Sequence, residues 1–354
     1  MKTNLFIAAL SLVVLAGCSS EDEVGTLVAK SDNAITFGTY VGKQTKASIM
    51  DDTQLKTSGF NVIATYTGTD TWASLSGDKA KAPNFMYNES ITHAEATGWT
   101  YQNIQYWPNE QDEKGTLGKV TFFAYSPKIE NTTKLSDKAV PGAPTITLTV
   151  PDDINNQIDL VADMITDLDK STKTIDNQDV APGTVKFKMD HLLSQIEFQA
   201  KLKKQYKTAT ITVTEFKLAF KASTIKNQGT YTFNTDNTNN SIWELSTETY
   251  HSVNIDTKDL NKTLNNDASP AATEILSPMF LLPQTYTLGD ITATISYTVS
   301  NNGSTVNNVK KVELPALTGG WKPNKKYLYT FDIELTDVTV GVASAEWESE
   351  SPQM

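Results

Sequence analysis

The feature that most constrains the fold of this sequence is a strict alternation of apolar and polar residues along several short segments. Residues 145–150 read TITLTV, residues 211–220 read ITVTEFKLAF and residues 327–335 read YLYTFDIEL. Because successive side chains of a β-strand point to opposite faces, this pattern buries one face and leaves the other in water. The alternation therefore predicts antiparallel sheets of the kind that pack into β-sandwiches.

The same period recurs at residues 185–189 and 291–299. Asn301-Asn302-Gly303 follows the second of these segments, and an Asn-Gly pair between two strands predicts a tight hairpin turn. Helical patterns are few, and residues 155–170 are compatible with one short helix. The sequence as a whole predicts an all-β protein.

Length and charge narrow the class of protein. A chain of 354 residues is long enough for two domains, and its formal net charge of −11 argues against nucleic acid or an anionic membrane surface as a partner. The polar stretch 170–183 ends in Ala-Pro-Gly, after which the strand pattern resumes. We therefore predict two domains, at residues 31–181 and 182–354.

The N-terminus resembles a bacterial lipoprotein signal. Lys2 precedes an apolar segment at residues 5–15, and Leu15-Ala16-Gly17 leads directly into Cys18. The resemblance implies that residues 1–17 are removed and that Cys18 carries acyl chains such as palmitate. The alternative is an ordinary secretory signal with a cysteine at its cleavage site. Cys18 is also the one cysteine in the sequence, which leaves no thiol for a disulfide or for cysteine-based catalysis.

Residues 18–30 form an acidic tether behind this cysteine, beginning with Ser-Ser-Glu-Asp-Glu at 19–23. That run resembles the export signal of Bacteroidetes lipoproteins that reach the outer face of the outer membrane. The alternative is a solvated acidic spacer. We expect a lipid-anchored protein exposed on the cell outer membrane.

Four stretches of the mature sequence resemble Bacteroidetes fimbrillins, the subunits of short lipoprotein-derived pili. In sequence order they are ITF at 35–37 followed by TKA at 45–47, the aromatic segment 99–127, FKMDHLLSQIEF at 187–198, and the closing segment 320–347. The resemblance implies two tandem transthyretin-like antiparallel β-sandwich domains. It also implies a cell-surface fimbrial subunit or pilus-associated adhesin that joins other pilus subunits by strand exchange.

In that family, the precursor fills a groove in its own sandwich with an N-terminal strand, and proteolysis after a basic residue then frees the groove. Carried onto this sequence, the resemblance makes Ile35 and Phe37 the strand plug and Lys46-Ala47 the processed bond. The family commonly has arginine at the position of Lys46, whereas this sequence contains no arginine. Processing would therefore need a protease that accepts lysine.

The resemblance also assigns a donor strand to the C-terminal segment. Val338, Val340 and Val342 alternate with Thr339 and Gly341, so that one face could fill the groove of a neighbouring subunit. The alternative is an ordinary last strand in the subunit's own sheet. A subunit that keeps this strand would cap or anchor a pilus rather than extend it.

No motif of the sequence indicates an enzyme, and we predict neither a cofactor nor a metal site. The three histidines, His93, His191 and His251, are far apart and have no metal-ligand spacing. The carboxylate pairs at 51–52 and 152–153 fit turns better than acid–base catalysis.

Aromatic residues concentrate in the first half and support a competing function. Trp72, Trp99, Tyr101, Tyr106 and Trp107 could form a platform on which sugar rings stack, or they could pack in the core. The first reading makes the protein a surface glycan-binding lipoprotein of a polysaccharide-uptake system.

Overall fold

β-Strands provide most of the regular structure, which confirms the predicted all-β class. The structure is a computed structural model, and it describes residues 33–41, 49–128, 132–176, 178–238, 240–251, 255–257 and 259–347. Cys18, the signal peptide, the acidic tether and the Lys46-Ala47 bond lie outside these residues. Among the described residues, no helix is both long enough and apolar enough to cross a bilayer.

The first half of the chain contains a short helix and a series of strands. In chain order they are β1 Thr36–Tyr40, α1 Asp52–Ser58, β2 Phe60–Gly68, β3 Met86–Ala94, β4 Gly98–Thr100, β5 Lys119–Ser126, β6 Thr133–Leu135, β7 Thr145–Thr149, β8 Val161–Leu168, β9 Thr174–Ile175, β10 Gln178–Asp179, β11 Thr184–Lys188 and β12 Asp190–His191. Single 3-10 turns occur at Trp72–Ser74, Gly77–Lys79 and Ile154–Asn156.

The second half continues with longer strands. They are β13 Ser194–Leu202, β14 Ala209–Phe220, β15 Gln228–Thr232, β16 Trp243–Leu245, β17 Ile255–Thr257, β18 Lys262–Thr263, β19 Thr273–Leu281, β20 Ile291–Asn301, β21 Ser304–Glu313, β22 Lys325–Ile333 and β23 Val338–Glu346. A 3-10 turn at Asn240–Ile242 precedes β16.

In the first half, a six-stranded antiparallel sheet with the order β12-β8-β5-β2-β3-β4 packs against the parallel pair β1-β11. The apolar side chains between them form the N-terminal core, which includes Phe37, Phe60, Phe122 and Phe187. The β1-β11 pair and the six-stranded sheet thus form two layers with one core between them, as in a sandwich.

In the second half, the sheet β19-β13-β22-β23 packs against the sheet β17-β14-β20-β21, with the C-terminal core between them. The alternating strands place their apolar residues in this core, as predicted. The hairpin between β20 and β21 turns at Asn302 and Gly303, whose φ angles are 48° and 82°. The pairing of β13 with β22 is parallel, in contrast to the antiparallel neighbours on either side.

A third sheet, β16-β15-β7-β6, combines strands from both halves and covers a third buried cluster, here called the junction core. β11 pairs with β1 and β12 pairs with β8, so both belong structurally with the first half. They nevertheless follow the predicted boundary between residues 181 and 182. The division into domains 31–181 and 182–354 remains a prediction.

The helix predicted within residues 155–170 is wrong. That segment contains the last part of a 3-10 turn, Ile154–Asn156, and then the strand β8. β8 pairs with β5 on one side and β12 on the other, and its first residues are all buried. A strand buried on both faces loses the alternation that would have identified it.

Gly59 is the C-cap of helix α1, and its backbone conformation can be tested by substitution. Its φ of 70° and ψ of −173° are accessible almost only to glycine, and a Cβ there would lie 2.5 Å from the Ile91 carbonyl oxygen. We expect Gly59→Ala to lower the free energy of unfolding by about 1–3 kcal/mol or more. Gly68→Ala is the matched control, because Gly68 has a φ of 69° but open space around a Cβ. Equal losses in urea denaturation would contradict the predicted clash.

Candidate functional site

The candidate site is the groove occupied by residues 33–41, here called the N-terminal groove. One wall is β11, which pairs with β1 in parallel from Thr36 opposite Thr184 to Tyr40 opposite Lys188. The other wall begins at residues 105–107: Ile35 N donates to Gln105 O at 2.9 Å. The segment is therefore held through its main chain on two sides.

Side chains of this segment enter the N-terminal core. Ile35 is fully buried, and Phe37 is 6 % exposed. The Phe37 ring lies 5.2 Å from that of Tyr101 and 6.1 Å from those of Phe122 and Phe187. Aromatic rings at these distances attract each other in addition to the gain from burial. The two residues predicted as a plug are thus both buried in the N-terminal core; their role as a plug stays a prediction.

Polar contacts hold the segment in register. The Tyr101 hydroxyl donates to the Ile35 carbonyl oxygen at 3.0 Å, and the hydroxyls of Thr36 and Thr184 lie 2.7 Å apart. At the far end, Val41 N donates to Asp52 Oδ1 at 2.7 Å. Each bond satisfies a polar group that the groove would otherwise bury unpaired.

The C-terminal strand β23 lies at the edge of its own sheet, where it pairs with β22 from Ile333 opposite Val338 to Lys325 opposite Glu346. Val338 is buried in the C-terminal core, whereas Val340 and Val342 are half-buried against it. This is the ordinary position of a last strand, which the sequence analysis left as an alternative to donation.

In β23, the N–H and C=O groups of every second residue point away from β22. Trp347 N donates to Asn324 O, and Glu334 N donates to Asp337 O, which identifies the pairs that bond across to β22. Because bonded and non-bonded pairs alternate, the N–H and C=O groups of Val338, Val340 and Val342 point away from β22. No lysine or proline within β23 blocks strand addition at this edge.

The comparison with protein families decides the class of the chain. The family described as fimbrillin-like matches residues 45–347, which is most of the 354-residue sequence. The chain belongs to the fimbrillin-like family. This confirms the resemblance seen in the sequence, and it indicates a fimbrial role.

One solved structure agrees with this assignment. This fimbrillin-like chain is similar to a fimbrial protein from Bacteroides vulgatus ATCC 8482, with 27 % identity and a TM-score of 0.70 over 89 % of this chain and 99 % of the other. Proteins described as cell adhesion proteins from Bacteroides uniformis ATCC 8492 and Bacteroides ovatus ATCC 8483 share 18 % and 14 % identity, each with a TM-score of 0.47. Those matches cover 89 % and 91 % of this chain and 98 % and 100 % of theirs. No relative was found among curated protein sequences.

The aromatic residues of the fimbrillin-like chain pack mainly inside the protein. Tyr101 and Trp107 are buried in the N-terminal core, with Trp99 half-buried against it, and Trp72 packs against the junction core. Tyr106 is 52 % exposed. The geometry therefore favours core packing over a sugar platform, which would need several neighbouring rings in solvent.

The histidines and paired carboxylates have local structural partners. His191 Nδ1 lies 3.0 Å from both Asp159 oxygens, and His251 Nδ1 lies 2.7 Å from Asp152 Oδ1. Asp51 caps helix α1 by accepting from Gln54 N. Within the described ranges, no group of three or more histidine, cysteine or acidic residues could hold a metal ion.

A buried carboxylate next to the groove escaped the sequence analysis. Asp163 on β8 is 8 % exposed; its Oδ2 accepts from Lys188 N on β11 and its Oδ1 from Met164 N, both at 2.7 Å. Burial raises the pKa of Asp163 to about 7; the Lys188 amide opposes the rise, and the charges of Asp190 and Asp176 add to it. Asp163 therefore holds β11 in place, and the free-energy cost of burying its charge depends on pH.

Removing the plug side chain should destabilise the first half. We expect Phe37→Ala to lower the free energy of unfolding by about 3–5 kcal/mol, because it leaves a cavity among packed rings. Thr36→Ala on the same strand should cost only about 1 kcal/mol, for one hydroxyl contact. Urea denaturation followed by tryptophan fluorescence measures both. Equal losses would contradict the packing role of Phe37.

Asp163 predicts a pH dependence with a definite sign. Its folded pKa of about 7 lies above the ordinary 3.8, so the folded state binds the proton more tightly between these values. Its contribution to stability is then fully present below about pH 4 and is lost as the pH rises towards 7. Asp163→Asn cannot ionise, so the difference in stability between variant and wild type should shift in the variant's favour from pH 5 to pH 8. Parallel pH profiles in urea denaturation would contradict this.

Proposed function

We propose that this protein is a cell-surface fimbrial subunit, or a pilus-associated adhesin, that assembles by donor-strand exchange after N-terminal processing. The observation that carries the proposal is the insertion of Ile35 and Phe37 into the N-terminal groove. Family membership and the similarity to a fimbrial protein support the fimbrial role. Its partners are further copies or related pilus subunits.

Loss of the plug would create an acceptor site. Without β1, the main chain of β11 from Thr184 to Lys188 loses its pairing partner, and the rings that surround Phe37 become exposed. An unpaired strand edge beside an apolar groove is unstable in water and pairs readily with another strand. A strand from a neighbouring subunit would restore both the hydrogen bonds and the packing.

β23 is the proposed donor. Among the described strands it is an edge strand that pairs with β22 alone, so its departure breaks one ladder of hydrogen bonds. Its valines at 338, 340 and 342 project with the same period of two as Ile35 and Phe37 in the plug. If β23 instead stays in its own sheet, the subunit caps or anchors the pilus.

Cleavage between Lys46 and Ala47 is the proposed trigger. This bond lies within residues 42–48, which the buried residues Val41 and Ile49 flank. The cut would separate Cys18, the acidic tether and the plug from the remaining chain. We propose that the acyl chains on Cys18 hold the precursor at the outer membrane until that step and that the cleaved subunit enters the fimbrium.

Limited trypsin digestion of soluble protein that starts after Cys18 tests the proposal. We expect one dominant cut before Ala47, identified by mass spectrometry, followed by concentration-dependent ladders on gels and filaments in electron microscopy. Lys46→Gln is the matched control and should resist the cut and remain monomeric.

A peptide competition shows whether the groove is the acceptor. A synthetic peptide of residues 33–41, added in excess after cleavage, should refill the groove and stop filament growth. The same peptide with F37S should compete poorly, because it lacks the ring that fills the core. A clean cut that leaves a stable monomer, or filaments indifferent to the peptide, would contradict assembly through this groove.

A further inference from the structure

We propose that Asp159, His191 and Trp347 form a latch that couples the N-terminal plug to the end of the C-terminal strand. The latch would control the release of β23. That this release leads to pilus assembly rests on the proposed function. The coupling itself is a property of the single subunit.

Asp159 is the central residue of the latch. Its side chain is 1 % exposed, its Oδ2 accepts from Met50 N at 2.8 Å, and both of its oxygens lie 3.0 Å from His191 Nδ1. A carboxylate accepts hydrogen bonds, so Nδ1 carries the proton in this arrangement. One buried side chain thereby ties the main chain at residue 50 to the imidazole of β12.

Trp347 completes the latch at the other terminus. Its indole is fully buried and stacks on the His191 ring, with centroids 4.2 Å apart and an angle of 7° between the planes. It is also nearly parallel to Phe280 at 5.7 Å. Because Trp347 directly follows β23, this stack holds the end of the strand whose outer edge is otherwise open.

The first described residues after the proposed cut connect this arrangement to the plug. Met50 belongs to the N-terminal core together with Ile35 and Phe37, whereas Ile49 belongs to the junction core together with Trp347. Two adjacent residues therefore enter the core that holds the plug and the core that holds Trp347, the residue directly after β23. Departure of the plug would remove packing from Met50 and with it the fixed position of the N–H that orients Asp159.

The mechanism is a sequence of lost constraints. A displaced Met50 N–H leaves Asp159 without one of its donors, and a less firmly held carboxylate orients His191 less well. The His191 ring then offers a poorer surface to Trp347, so β23 separates more often from β22. Buried hydrogen-bond networks transmit such changes because an unsatisfied buried group is costly.

Hydrogen exchange on the monomer tests the latch. We expect cleavage at Lys46-Ala47 followed by removal of the plug to raise the exchange rate of amides in β23 selectively. Asp159→Asn and His191→Gln should raise the same rates in uncut protein by about tenfold, the effect of losing roughly one net hydrogen bond. The exchange rates of amides in β14 and β20, in the middle of the sheet β17-β14-β20-β21, should not change.

Trp321 provides the matched control. It is as deeply buried as Trp347, but it packs in the C-terminal core against Tyr286, whereas Trp347 lies in the junction core. Trp321→Leu should raise exchange throughout the second half, whereas Trp347→Leu should act first on β23. Equal patterns in the two variants, or cleaved and unplugged protein whose β23 exchanges as before, would overturn the latch.

The two proposals fail in different ways. Faster exchange of β23 after plug removal, without filaments at any concentration, would uphold the latch and reject strand-exchange assembly. If filaments form but the exchange rate of β23 changes neither on plug removal nor in the latch variants, assembly is upheld and the latch is rejected.

Discussion

The insertion of Phe37 and Ile35 into the N-terminal groove is the interaction on which the first half depends. β1 is a short strand, yet it closes the core above the six-stranded sheet and pairs the edge of β11. Fully burying a large aliphatic or aromatic side chain stabilises a fold by about 1.5–3 kcal/mol, and neighbouring rings add to this. In the proposed function, one cut between Lys46 and Ala47 would separate this strand from the rest of the chain.

Residues from both halves of the chain pack together in the junction core. β7 and β15, far apart in sequence, pair in the same sheet, and the cluster beneath them includes Ile49, Phe280 and Trp347. Ile49, which follows the proposed cleavage bond, and Trp347, the last described residue, therefore lie in the same buried cluster. In the proposed latch, a change at the N-terminal segment acts on β23 through these packed side chains.

Much of the fold could be predicted from the sequence, because alternating strands report their burial directly. The hairpin at Asn302-Gly303 and the strands of the second half follow that rule. β8 does not follow it, since both of its faces are covered and its apolar run resembles a helix segment. The plug residues were predicted from a family resemblance, whereas Asp163 and the Asp159–His191–Trp347 contacts carry no local signal.

The all-β class, the family and the apolar faces of the strands follow from the amino-acid sequence alone, since these depend on residue order and side-chain period. Tertiary structure decided which strands pair in parallel, as in β1 with β11, and that β23 lies in its own sheet. It also decided that Asp159, His191 and Trp347 meet. Such contacts join residues far apart along the chain, and their energies depend on which surfaces remain to be buried when the sheets pack.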